Sequence, residues 1–207
     1  MREYSKKVSP GQAAIVCLLP YGAIIFGFTV LRNAWAATVL YHLIVMAALL
    51  GPGRAKVGQL KAGFRIVPAL LLCAGCALSY PAIVWLWPWL SIPGLDVGAA
   101  LEAYGIGKTW WIFVLYISTV HPVLEEFWWR GLGPRRWFAD VAFAGFHAFL
   151  VAPFLRPAWI VVVLIVLIVA ARMWRETAFR TGGLAVPVLS HAVADLCILL
   201  AVFTIAS

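Results

Sequence analysis

The stretch His121-Pro122-Val123-Leu124-Glu125-Glu126-Phe127-Trp128-Trp129-Arg130-Gly131 decides how this chain is read. It closes an apolar run that starts at Trp110 and carries no acid or base before the two glutamates except His121. A charged side chain deep in lipid costs about 3 kcal/mol, so such residues are paired or put to use. Glu126 and Arg130 stand four apart with the acid first, the orientation that suits a helical ion pair. Glu125 lies about 100° round the helix from Glu126, so one arginine does not serve both acids equally. Glu125 is left as a carboxylate in search of a role. The plain alternative is a solvated helix end carrying all three charges.

The rest of the composition puts that stretch in a membrane. The chain has 207 residues, 64% hydrophobic and 12% charged, with a mean hydropathy of +0.97. A soluble domain carries about 25% charged residues, so the expectation is an all-α, polytopic membrane protein forming one domain over 1–207. The net charge of +8 belongs, in so apolar a chain, to orienting loops rather than to a nucleic-acid surface. Many of the eleven Trp and six Tyr flank apolar runs and suit interfacial belts. Cys73 and Cys76 form a C-x-x-C beside Ala74, Gly75 and Ala77, where small residues let helices approach; packing explains them, and no disulfide framework follows.

Seven apolar runs follow one another: 12–31, 34–50, 66–90, 109–128, 141–155, 158–171 and 184–205. The first is too long for the apolar part of a signal peptide and reads as an uncleaved anchor. Pro68, Pro81 and Pro88 are expected to kink or end the third. Residues 51–65, 91–108, 131–140 and 172–183 read as connections. There is no internal repeat, low-complexity segment or second domain.

Seven spans put the termini on opposite sides. With the N-terminus inside, that side collects Arg2, Lys6, Lys7, Arg54, Lys56, Lys61, Arg65, Arg135, Arg136, Arg172, Arg175 and Arg180. The other side keeps only Arg32, Lys108 and Arg156. This asymmetry orients the N-terminus in the cytoplasm and the C-terminus outside. Glu125 then lies near the cytoplasmic end of its span. His147 and His191 each lie about two turns into theirs from the same side, so all three sit roughly 10 Å deep. The agreement in depth is independent of the loop charges and points to one shared site.

A carboxylate and two histidines in a dry pocket are equipped to activate water. Glu125 is the candidate base, since a carboxylate held out of bulk water is a better one. His147 can share the water with it, and His191 can donate to the oxyanion at an attacked carbonyl. Asp195, four residues after His191 on the same face, can fix that ring's tautomer. Glu126 and Arg130 support the helix end. His42 has no partner in sequence and reads as a packed or interfacial histidine. Phe127, Trp128 and Trp129 read as an interfacial belt, with Trp128 and Trp129 alternatively lining a cleft beside Glu125.

Glu125-Glu126-x-x-x-Arg130, Phe143-x-x-x-His147 and His191-x-x-x-Asp195 resemble the three motifs of the CAAX-protease and bacteriocin-processing family of intramembrane endopeptidases, relatives of the Ras-converting CAAX endopeptidase. The resemblance covers about 109–204, the family's four-helix catalytic core; the helices of 1–108 carry no recognised motif. It implies that Glu125 is the catalytic base, that His147 sits beside it on the water, and that His191 and Asp195 form the oxyanion pocket. The prenyl-protein proteases usually have Asn where this chain has Asp195, and an ionised Asp cannot donate to an oxyanion. The family has been described both as metal-free glutamate enzymes and as metalloproteases. The expectation is no cofactor; the alternative is zinc on Glu125, His147 and His191, with His121 on the face of Glu125 as a further ligand.

The resulting expectation is an integral protein of a bacterial or archaeal inner membrane. It is an endopeptidase with a site toward the cytoplasm, acting near a hydrophobic or lipidated segment of a membrane-associated protein or peptide. Its rivals are a non-proteolytic immunity or scaffold member of the same family and a proton-coupled transporter. A transporter should show paired, interrupted repeats, and none is present.

Overall fold

The computed structural model describes residues 9–51, 53–134 and 137–207, so Arg2, Lys6, Lys7, Arg135 and Arg136 of the orientation argument lie outside the described residues. Helix α1 spans Pro10–Ile25 and a π turn, Phe26–Val30, prolongs it. Its start has two causes: the Ser9 side chain accepts from the Gln12 amide, and Pro10 is preset for a first helical position. Helix α2, Ala34–Leu50, opens the same way on Asn33, which accepts from the Ala36 amide at 2.9 Å. Where the two meet, Gly27 lies against the Ala37 backbone with no room for a Cβ, a close crossing made by small residues. A 3-10 segment, Arg54–Leu60, then turns the chain sharply away from the α2 axis.

Helices α3, Ile66–Ala77, and α4, Ser79–Leu90, are one span broken at Leu78. Pro81 has no N–H to return to the Ala77 carbonyl, which accounts for the break. Pro68 falls in the first turn of α3 and Pro88 inside α4 close to its end. A short helix, α5, Val97–Ala103, stands where only a connection was expected; Asp96 caps it by accepting from the Ala99 amide at 2.9 Å. The fourth apolar run is divided into α6, Trp110–Thr119, then α7, His121–Glu126, then a π turn, Phe127–Leu132. Helices α8, Trp137–Val151, α9, Pro157–Thr181, and α10, Ala185–Ala206, complete the chain.

All seven apolar runs are helical, and the described residues contain no strand, only an isolated bridge between Ser91 and Leu155. Pro10–Val30, Ile66–Leu90, Pro157–Thr181 and Ala185–Ala206 are each long and apolar enough to cross a membrane. The bent pair Ala34–Leu50 and Arg54–Leu60 adds a fifth if counted as one span. Leu70, Leu71, Trp85, Val161, Ile165 and Val166 are exposed on these helices, as lipid-facing side chains are. The chain is an all-α, polytopic integral membrane protein.

Two connections are shorter than expected. Residues 172–181 continue α9 rather than forming a loop, because Glu176 and Arg180 pair at 2.8 Å one turn apart and Gly182, at φ 79°, supplies the left-handed stop. Helix α8 begins at Trp137 and ends at Val151, several residues earlier than the apolar run alone implied. Arg175 reaches back from α9 to Asp140 on α8, with Nε 3.0 Å from Oδ1 and Nη2 on Oδ2.

Helix α10 is central. It packs on α3, α4, α6, α7 and α9. Its first amides are satisfied from the 3-10 loop: Leu184 N–H donates to Gln59 O at 2.8 Å and Ala185 N–H to Ala62 O at 3.1 Å. Lys56 of the same loop donates to Gly131 O at 2.8 Å, holding the π turn. The ends of α7 and α10 are thereby fixed from one segment.

Candidate active site

Helix α7 starts afresh because Val120 and His121 precede Pro122, whose fixed φ suits a first turn and whose missing N–H interrupts the helix before it. The break allows α7 to aim His121 and Glu125 inward, one turn apart, with His121 Nε2 3.6 Å from Glu125 Oε2. Glu125 and Glu126 are both 0% exposed, so the solvated helix end is excluded. The π turn that follows adds a residue to the helical register, a device concentrated at functional sites. It carries Arg130 back against Glu126, Nη1 to Oε1 at 3.3 Å, and lays the guanidinium 4.3 Å above the Phe143 ring.

His191 joins this group from α10. Its Nδ1 bonds to Glu126 Oε1 at 2.9 Å, and its ring stacks on Trp174 at 4.4 Å. A carboxylate accepts, so Nδ1 carries the proton. Nε2 faces Glu125 Oε2 and Asp195 Oδ1, each at 3.6 Å. The expected link between Asp195 and His191 is therefore displaced. Glu126 holds the ring nitrogen that fixes the tautomer, while Asp195 stands on the reactive side beside Glu125. One turn of helix sets the Asp195 carboxylate level with the ring edge, and Nδ1 points instead toward α7. Glu125 and Asp195 Oδ2 are both buried, and the Tyr41 hydroxyl of α2 stands beside Glu125.

His147 is at the margin. Its Nδ1 donates to the Phe143 carbonyl at 2.8 Å, and its ring lies 4.0 Å from Phe146. It is in electrostatic range of His191 and Arg130 but makes no hydrogen bond to Glu125. Glu125, Glu126, Arg130, His191 and Asp195 thus form one contact network, with His147 alongside.

Three contributions were hidden in the sequence. His42 on α2 is buried and bonds through Nε2 to His121 Nδ1 at 2.8 Å and through Nδ1 to the Tyr116 hydroxyl at 2.7 Å. It is not a packed histidine without a partner; its presence in an apolar span was the available signal. Trp128 and Trp129 are each 3% exposed and are not an interfacial belt, although Trp129 lines a small cavity with Arg130, Pro134 and Arg175. Their indoles donate to Val16 O at 2.9 Å and to the Tyr41 hydroxyl at 3.1 Å, locking the π turn onto α1 and α2. Trp174 donates to Ser190 Oγ at 3.0 Å while backing His191.

Among the described residues His121, His191 and Asp195 offer ligand atoms within 4.8 Å of one another, with Glu125 beside them; His147 is not in this group. A tetrahedral zinc with Zn–N of 2.0–2.1 Å separates its ligand atoms by about 3.4 Å. The 3.6 Å spacings of Glu125 with both histidines, and of His191 with Asp195, fit that figure. The outward nitrogens of both rings are engaged, by Glu126 and by His42, as zinc-bound imidazoles require. The residues present fit the ion.

A buried acid–histidine network thus stands where α7 and α10 meet. Residues 107–197, less than half of the chain, match the family model described as type II CAAX prenyl endopeptidase Rce1-like. The match takes in α6 to most of α10, and with them all three motifs. The match supports a CAAX-type intramembrane protease kind of function, which implies a protein substrate in the membrane. No curated protein and no solved structure matches the chain.

Proposed function

We propose that the chain is an endopeptidase in which Glu125 takes the proton of a water that attacks a peptide carbonyl next to a hydrophobic or lipidated segment. One observation carries this reading: Glu125, fully buried with the Tyr41 hydroxyl beside it, faces the Nε2 of a histidine whose other nitrogen Glu126 holds. A carboxylate so placed can accept a proton from water. His191, flanked by Glu126 at Nδ1 and by Glu125 and Asp195 at Nε2, acts as the imidazolium, so that Nε2–H also donates to the oxyanion as the carbonyl is attacked. Arg130 neutralises Glu126, so Glu125 is not forced to share that cation. Asp195 sits across His191 Nε2 and orients the water on the side away from Glu125. His147 completes the pocket wall. One transmembrane domain with a catalytic core at 109–205, N-terminus in the cytoplasm and site toward it, in a bacterial or archaeal inner membrane, is the setting proposed.

The second reading is a zinc enzyme, favoured by the ligand spacing of His121, His191, Asp195 and Glu125. A zinc ion there would supply a Lewis acid for the water and the carbonyl. Purified protein in liposomes, given a farnesylated CAAX peptide and followed by mass spectrometry, tests both. Cleavage that survives 1,10-phenanthroline and a protein free of zinc by elemental analysis support the metal-free reading. Cleavage lost with the chelator and restored by zinc supports the second. No cleavage of this or other lipidated peptides leaves the immunity or scaffold role.

A further inference from the structure

His42 belongs to α2, outside the segment that matches the family, and the proposed chemistry makes no use of it. Yet it is 3% exposed, and both of its ring nitrogens are engaged at 2.7 and 2.8 Å. A histidine kept in an apolar span with two short bonds is costly unless the bonds matter. The chain of contacts is unbranched: Tyr116 hydroxyl, His42 Nδ1, His42 Nε2, His121 Nδ1, His121 Nε2, Glu125 Oε2.

Each neutral imidazole has one donor and one acceptor nitrogen, so the end of the chain dictates every proton in it. Glu125 is fully buried, with the Tyr41 hydroxyl as a further neighbour from α2. A lone pair on His121 Nε2 facing that carboxylate at 3.6 Å would be repulsive, whereas an N–H there is attractive. With the proton on Nε2, His121 Nδ1 must accept, His42 Nε2 must donate, and His42 Nδ1 must accept from the Tyr116 hydroxyl. All the dipoles then run toward Glu125.

We propose that His42, backed by Tyr116, is a positioning residue that fixes His121 as the Nε2–H tautomer and so presents a donor to Glu125. This rests on the metal-free reading of the site, since a zinc ion on His121 would demand the reverse order of protons. The consequence is a contribution from the N-terminal helices: α2 sets the orientation of a group on α7, one turn before the base. The indole of Trp129 and the hydroxyl of Tyr41, one residue from His42, brace the same stretch of α2 against the π turn.

The test combines nitrogen NMR of protein labelled with ¹⁵N-histidine in micelles with turnover of the farnesylated CAAX peptide. The His121 ring signals are assigned by their loss in His121→Asn. In the wild type His121 should bear its proton on Nε2. His42→Leu should let the ring sample both tautomers and lower kcat about 10-fold or more at unchanged KM, as loss of an outer hydrogen-bond partner does. His42→Gln, whose amide N–H can donate to His121 Nδ1, should recover part of both. Should His42→Leu not fold, Tyr116→Phe removes a single hydroxyl and should shift the His42 ring signals and lower kcat in the same sense. A His121 proton on Nδ1 in the wild type overturns the proposal. So does a tautomer or a kcat that ignores both His42→Leu and Tyr116→Phe. If no protein cleaves the peptide but the tautomer still responds to His42→Leu, the proteolytic reading fails and the positioning role stands.

Discussion

Arg130→Ala separates what holds the site together from what reacts in it. The guanidinium lies 3.3 Å from Glu126 Oε1, and an attraction at that distance is worth about 5 kcal/mol at an effective dielectric constant of ~20. Removing one partner of a buried pair costs about 3–5 kcal/mol, chiefly because the other charge is stranded. Contact with the Phe143 face adds about 1 kcal/mol. Glu126 keeps its bond from His191 Nδ1, which moderates the loss, so the expected cost is about 4 kcal/mol. Unfolding in mixed micelles by titration with SDS, followed by tryptophan fluorescence, reads it. Adding Glu126→Gln to Arg130→Ala should recover about 2 kcal/mol, because no stranded charge remains while the amide oxygen still accepts from His191. A double variant no more stable than Arg130→Ala would refute the reasoning.

Glu126→Gln alone should lower kcat on the lipidated peptide more than Asp195→Asn does, because Glu126 holds His191 Nδ1 at 2.9 Å while Asp195 stands 3.6 Å from Nε2; the reverse order in a steady-state assay would return the orienting role to Asp195. Asp140→Asn should destabilise the protein by about 1.5–3 kcal/mol through the lost charge-assisted bonds from Arg175, with the SDS midpoint as the readout; an unchanged midpoint would show that the α8–α9 tie contributes nothing. Gly27→Val should lower the yield of folded protein or cost about 1–3 kcal/mol, since its side chain would enter the Ala37 backbone; a variant as stable as wild type would disprove the close crossing of α1 and α2.

Although only four of the described helices, or five with the bent pair, are long and apolar enough to cross a membrane, the helical character of the seven runs was legible from hydropathy. Their ends were not. Helix α9 runs on to Thr181 through Arg172, Arg175 and Glu176, since charge ends a membrane span without ending a helix. The grouping of Glu125 with His191 followed from depth along two spans. The partners of His191 did not, because depth says nothing about rotation of one helix against another. Glu126 therefore read as the partner of Arg130 alone, and it holds His191 as well. His42 was invisible as a site residue because its partners, Tyr116 and His121, are distant in sequence and meet it only when α2 packs on α7. Trp128 and Trp129 fitted an interfacial belt by composition, whereas the π turn, which no local pattern announced, rotates them into the core.

Glu125→Gln tests the central claim most directly. The amide fills the same buried volume but cannot take a proton from water, and loss of a general base costs about 10²–10⁴-fold in rate. The protein would be reconstituted in liposomes, its SDS midpoint compared with wild type, and its turnover of the farnesylated CAAX peptide measured by mass spectrometry. A wild-type or higher midpoint with cleavage reduced by at least about 100-fold is the expected result. Cleavage within a few-fold of wild type by a folded Glu125→Gln protein would show that Glu125 is not the base.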